Sequence, residues 1–106
     1  MDTPKVLRKE EALELVRRYK EVIAPRFNDE IIVMMFGSYS KGYANPWSDI
    51  DVAVIVPKVD DDKWLETSVA LGMDVDKVSL RIEPILLEEY ENTPIYHEVM
   101  RTGVAV

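Results

Sequence analysis

The sequence has 106 residues, room for one modest hydrophobic core and too few for two, so residues 1–106 are expected to form a single domain. Its 47% hydrophobic and 31% charged residues exclude disorder as a description of the whole. A formal net charge of -7 argues against a surface that holds a long nucleic acid, because such surfaces neutralise phosphates with Lys and Arg.

Residues 8–24 place Ala12, Leu15, Val16, Tyr19, Val22 and Ile23 on one stripe at helical spacing, which leaves Arg17, Arg18 and Lys20 facing water. Pro25 ends this helix, and Asn28 and Asp29 mark a loop. Residues 31–36 are a continuous apolar run, the pattern of a strand buried on both faces in the middle of a sheet. Gly37 stops the run. Residues 38–48, rich in Ser, Gly, Asn and Pro, read as a functional loop with a short helical turn.

A second strand is expected from Asp49 to Val56, with Ile50, Val52, Val54 and Val56 on one face and Asp49, Asp51, Ala53 and Ile55 on the other. Asp60, Asp61 and Asp62 then open a helix, because acids before a helix stabilise its positive end; its apolar positions are Trp64, Leu65, Val69 and Leu71, and Gly72 is its expected end. A third strand is expected over residues 78–86, with Val78, Leu80 and Ile82 opposite Ser79, Arg81, Glu83 and Ile85. Short helical segments follow over 87–91 and 94–101, capped by Gly103. The fold class is α/β of the α+β kind: a small, mixed, mostly antiparallel sheet of three to four strands, with helices packed on one face and the acids on the other.

No cysteine is present, which excludes disulfides, thiolate metal sites and cysteine nucleophiles. The first residues, with Lys5, Arg8, Glu10 and Glu11, lack the apolar stretch of a signal peptide, and no later segment has the roughly 20 apolar residues of a membrane span. A soluble, cytoplasmic protein is expected.

The chemistry concentrates where Gly37-Ser38 ends one strand and Asp49-Ile50-Asp51 opens the next. Alternate residues of a strand are about 6.6 Å apart on one face. Two carboxylates so placed repel one another unless a cation intervenes, and hard oxygen ligands at that spacing suit magnesium. A third carboxylate on a neighbouring strand would complete a second metal site. Glu83 fills that description by alternation; Asp74 and Asp76 are rivals, although they precede the apolar strand. Glycine at residue 37 lets backbone approach a phosphate, and the Ser38 hydroxyl and nearby amides supply donors. Gly42 would relieve the same loop, and Lys41 would add a positive charge. A Gly-Ser pair or an Asp-any-Asp alone is common; the combination between two apolar strands carries the inference.

This arrangement resembles the nucleotidyltransferase superfamily related to DNA polymerase beta, and in particular the minimal nucleotidyltransferases encoded beside a helical HEPN partner in toxin–antitoxin pairs. The resemblance covers most of the chain. It implies transfer of a nucleoside monophosphate, AMP from ATP, to a hydroxyl acceptor with release of pyrophosphate. Asp49, Asp51 and Glu83 would hold two Mg2+ ions, and Gly37, Ser38, Lys41 and Gly42 would bind the nucleotide. Larger relatives carry an extra helical domain for the acceptor, so a separate HEPN-type partner is expected to supply it, the acceptor being a tyrosine of the toxin. The alternative is an antitoxin that blocks its toxin stoichiometrically while the nucleotide site stays idle. Transfer onto a small molecule is a third reading.

The other conspicuous residues have blander explanations. Tyr39, Tyr43 and Trp47 would either stack on a base or anchor their loop, with neither reading favoured. Arg81 would pair with Glu83 or else steady the triphosphate, the pairing being preferred. His97 has no acid or cysteine placed to share a metal. Phosphatases of the haloacid dehalogenase type also use Asp-any-Asp with magnesium, but their apolar strand precedes the acids; here Asn45-Pro46-Trp47-Ser48 precedes them.

Overall fold

The computed structural model describes residues 5–106; residues 1–4, the beginning of the expected single domain, lie outside it. The first helix, α1 (Lys9–Ile23), starts where the Glu11 carboxylate accepts the Arg8 backbone N–H at 2.9 Å. Its stripe of Ala12, Val16, Tyr19 and Ile23 is fully buried, with Leu15 and Val22 packed beside it. Pro25 then carries the chain through a 3-10 turn, and Asn28 and Asp29 take left-handed backbone (φ 54° and 62°) to reverse it.

Four strands follow in the order β3-β2-β1-β4. The central pair, β1 (Ile32–Phe36) and β2 (Ile50–Val56), is antiparallel, with Met34 opposite Ala53. β3 (Ile82–Glu88) lies parallel to β2 with Pro84 beside Val52, and a parallel neighbour requires a crossover, here through α3 (Trp64–Asp74). Pro84 sits safely because β3 is an edge strand. The short β4 (Val104–Ala105) pairs antiparallel with β1 after α4 (Pro94–Thr102), whose start is capped by the Thr93 hydroxyl accepting the Tyr96 N–H. Two of the three pairings are therefore antiparallel, and the sheet is the small mixed one expected.

Both faces of the sheet are covered, unequally. Val52, Val54 and Val56 pack with α1 and with Leu71 of α3 in the main core. On the opposite face, Tyr96 and Val99 of α4 bury Met34, Ala53, Ile55 and Leu87. The helices are thus not confined to one face: α4 takes the second, because Ala53, Ile55 and Leu87 make its lower half apolar.

Three boundaries differ from expectation. α3 runs past Gly72 to Asp74 and continues as a 3-10 turn, Val75–Lys77, so the glycine does not act as a stop. Residues 78–81 form a turn instead of opening the third strand; the Ser79 hydroxyl accepts the Arg81 N–H at 3.1 Å, and Leu80 is exposed. β3 runs on through Leu87, which the sequence assigned to a helix, because Ile85 and Leu87 bury against α4. No described helix is long and apolar enough to cross a membrane.

Candidate active site

The parallel register sets Asp51 of β2 directly beside Glu83 of β3. Paired residues of neighbouring strands point to the same face, so two carboxylates rise together from backbones about 4.8 Å apart. Asp49 lies immediately before β2, two positions from Asp51, and returns to that face. Farther along, the face becomes Ala53, Ile55, Ile85 and Leu87 beneath α4. The acids thus occupy the end that α4 leaves open: Asp49 and Glu83 are exposed and Asp51 is half-buried.

Their electrostatics follow from that crowding. Burial pushes the Asp51 carboxyl above the ordinary carboxylate range, and the Asp49 charge pushes it the same way. Glu83 is raised first by a hydrogen bond with the Asp49 carboxyl and by its charge, then by burial and by Asp51. Three carboxylates so close together disfavour one another's charge, and a cation among them would relieve that crowding. The donor set is all hard oxygen and suits a divalent ion of the magnesium class. Among the described residues, no three His, Cys, Asp or Glu side chains already stand as a metal-holding group. Asp51 and Glu83 are neighbours across the strand pair and Asp49 is two positions from Asp51, so small side-chain adjustments would gather the trio about a cation.

Gly37 is fitted to this cluster. Phe36 pairs with Asp51 across the antiparallel register, and the chain turns at once into α2 (Gly37–Lys41). A Cβ on Gly37 would lie 2.1 Å from Asp51 Oδ2, and its φ of +74° is left-handed, so glycine is required twice over. Ser38 follows, half-buried, and Gly42 closes α2 with φ 86° and open space around it. α2 is fixed to α4, where the Ser40 hydroxyl donates to the Thr102 carbonyl and the Lys41 ammonium meets Glu98 at 2.5 Å. Lys41, expected to face the nucleotide, is thereby engaged; Glu98 holds its pKa above the ordinary lysine value.

Arg81 does not pair with Glu83. It precedes β3, so strand alternation does not govern it, and its guanidinium donates to the Tyr39 hydroxyl at 2.7 Å, the Lys5 carbonyl at 2.8 Å and the Ser48 carbonyl at 3.5 Å. The Arg81 carbonyl accepts the Ile50 N–H at 2.7 Å. Tyr39 is buried and also accepts the Leu7 N–H at 3.2 Å, so it anchors its helix, whereas Tyr43 and Trp47 are exposed. Sequence reasoning missed this cross-brace between α2, the 43–49 loop and the start of β3; the one available signal was an arginine immediately before a strand rich in acids. The rivals for Glu83 lie elsewhere: Asp74 is buried in a fork with Arg26 at 2.6 and 3.1 Å and with Lys77 at 3.0 Å, and Asp76 sits in the following 3-10 turn. His97 is exposed on α4, its Nε2 2.9 Å from Asn92 Oδ1.

Comparison with known proteins places this geometry in a family. The chain is 28% identical, over 91% of its length and 99% of the relative, to a candidate protein adenylyltransferase of Methanocaldococcus jannaschii. It resembles in fold a candidate nucleotidyltransferase of Sulfolobus solfataricus, at a TM-score of 0.64 and 20% identity over 98% of this chain and 90% of that one. A toxin–antitoxin complex solved with AMP-PNP shares the fold at a TM-score of 0.50 and 22% identity, covering 93% of this chain and 72% of that one. The family model for polymerase beta nucleotidyltransferases matches residues 10–106, and the chain belongs to that family.

Proposed function

We propose that the protein transfers a nucleoside monophosphate, AMP from ATP, to a hydroxyl on a partner protein, and that Asp49, Asp51 and Glu83 are the carboxylates that serve the reaction. The observation that carries this reading is the Asp51–Glu83 pairing across parallel strands, with Gly37 shaped to Asp51 and Asp49 two positions from Asp51 beside them. A family relative named for protein adenylylation and a fold neighbour solved as a toxin–antitoxin pair with AMP-PNP support the choice of nucleotide and of a protein acceptor.

The acceptor oxygen attacks the alpha phosphorus, the bond from that phosphorus to the bridging oxygen breaks, and pyrophosphate leaves; the hydroxyl proton passes to solvent. Asp49 and Asp51 would hold both of two Mg2+ ions and Glu83 one of them, and bound magnesium would supply charge neutralisation for the triphosphate and an acidified acceptor hydroxyl. Asp51, half-buried and pressed by Gly37, has the least freedom and fixes the centre of the set. The Ser38 hydroxyl and the amides around Gly37 orient the phosphates, with α2 held rigid by Tyr39 and Ser40. The acceptor is read as a tyrosine of a helical, HEPN-type toxin, and the reaction as cytoplasmic.

Calorimetry of ATP with magnesium tests the site: binding should require the metal and should lose its metal-dependent part in Asp51→Asn. Incubation with ATP, magnesium and the partner should add one or more adenylyl groups by mass, and an unchanged partner would refute the transfer. The alternative is stoichiometric blocking of a toxin, for which the exposed Leu65, Val69 and Met73 of α3 offer a contact surface as they do for transfer. The paired Asp49→Asn and Asp51→Asn variant separates the two readings, since blocking would survive it and transfer would not.

A further inference from the structure

The helix α3 is apolar on the side that faces the core and also on the side that faces water. Leu71 is buried, yet Leu65, Val69 and Met73, spaced i, i+4, i+8 along the outer face, are 74, 51 and 70% exposed. A surface helix ordinarily shows charge there, and α3 carries only Glu66 and the core-paired Asp74. Trp64 opens onto a groove of about 340 Å3 between α3 and the edge strand β3, lined on the α3 side by Leu71, Pro84 and Leu86 and along the strand edge by Ile85 and Leu87, in which the sole charge is Glu91. Gly72 adds a low point with open space about it. Such a contiguous apolar stripe marks a contact surface.

Charge selects the occupant. Around α3, Asp61, Asp62, Glu66 and Asp76 stand against Lys63, Lys77 being engaged by the buried Asp74, in a chain of net charge -7. A second copy would set acidic rim against acidic rim, so self-association is disfavoured. We infer that the outer face of α3 and the adjoining β3 groove dock a partner protein through an amphipathic helix whose apolar stripe is flanked by Lys and Arg. The face lies behind the sheet from the Asp49, Asp51 and Glu83 cluster, since α3 packs on the Val52 side. Docking there leaves the carboxylates open, and so the inference deepens the reading above by giving the acceptor protein a place to hold.

The test uses the 15N-labelled protein and two synthetic helical peptides that share a leucine stripe, one flanked by lysine and one by glutamate. The lysine peptide should shift amide resonances of residues 64–73 and of β3, and Leu65→Glu with Met73→Glu should weaken it by roughly tenfold or more. The same double variant should bind ATP with magnesium as the parent does, so failure of docking and failure of the nucleotide site are read separately. No binding, equal binding of both peptides, or shifts confined to another face would overturn the inference. So would a concentration-dependent dimer in sedimentation that the double variant abolishes, since the occupant would then be a second copy.

Discussion

At the scale of single residues, the pair Gly37 and Gly42 separates backbone need from site need. Both have left-handed φ, but only Gly37 has a neighbour in the way, Asp51 Oδ2 at 2.1 Å from a notional Cβ. Gly42→Ala should therefore cost about 1 kcal/mol, the ordinary penalty of that backbone, and leave magnesium-dependent ATP binding intact. Gly37→Ala carries the same penalty and must also displace the Asp51 carboxylate, so binding by calorimetry should fall by about tenfold or more. Equal binding losses in the two variants would mean that Gly37 acts through the turn alone. Arg81 gives a second contrast, because its guanidinium reaches acceptors on three segments at once. Arg81→Met should lower stability by about 2 kcal/mol and weaken nucleotide binding as the 43–49 loop loosens. Arg81→Lys, with a point charge in place of a fork, should recover little of either.

At the scale of elements, the helix pair α1 and α3 is tied by polar contacts as well as by packing. The Tyr19 hydroxyl donates to the Leu71 carbonyl at 2.7 Å inside the core, where burial raises its pKa well above the ordinary tyrosine value. Arg26, just beyond α1, forks onto Asp74 at the end of α3, and that bond, ahead of the one from Lys77, holds the Asp74 carboxyl below its usual range. Asp74→Ala should cost about 2 kcal/mol by denaturant unfolding, the half-exposed Arg26 keeping the loss below that of a fully buried pair. These elements also show what a sequence can and cannot carry. α1 and β1 are long, periodic or uniformly apolar, and their bounds are legible within a residue or two. β3 is not, because Val78 to Leu86 and Ile82 to Glu88 alternate equally well, and only the burial of Ile85 and Leu87 under α4 decides between them. The slip spared Glu83 because it lies inside both spans and takes the face opposite Ile82 in either. It misassigned Arg81, which the longer strand would have set beside Glu83. β4 was illegible as a strand: two residues pair only because α4 delivers them to the open edge of β1.

At the scale of the whole molecule, the carboxylate cluster is a local destabilisation that the rest of the fold tolerates. Asp51 and Glu83 hold protons more tightly in the folded chain than in the unfolded one, through burial and their neighbours' charge. Between the ordinary carboxylate range and those raised values the native state binds more protons, so stability falls as pH rises through that window. Asp74 and Glu98, lowered by their basic partners, act in the opposite sense: their contribution is present above the ordinary range and is lost on acidification. Measured alone, the two trends would overlap. The difference between the parent and Asp51→Asn isolates the first, because both chains share Asp74 and Glu98. Without magnesium, Asp51→Asn should melt above the parent at neutral pH, and the gap should narrow as the pH is lowered into the ordinary carboxylate range. Adding magnesium should raise the parent's melting temperature and not the variant's, since a cation bound only by the folded state stabilises it by mass action. A parent that melts above Asp51→Asn at neutral pH without metal would mean that the three carboxylates do not repel one another, and the case for a shared divalent site would fail with it.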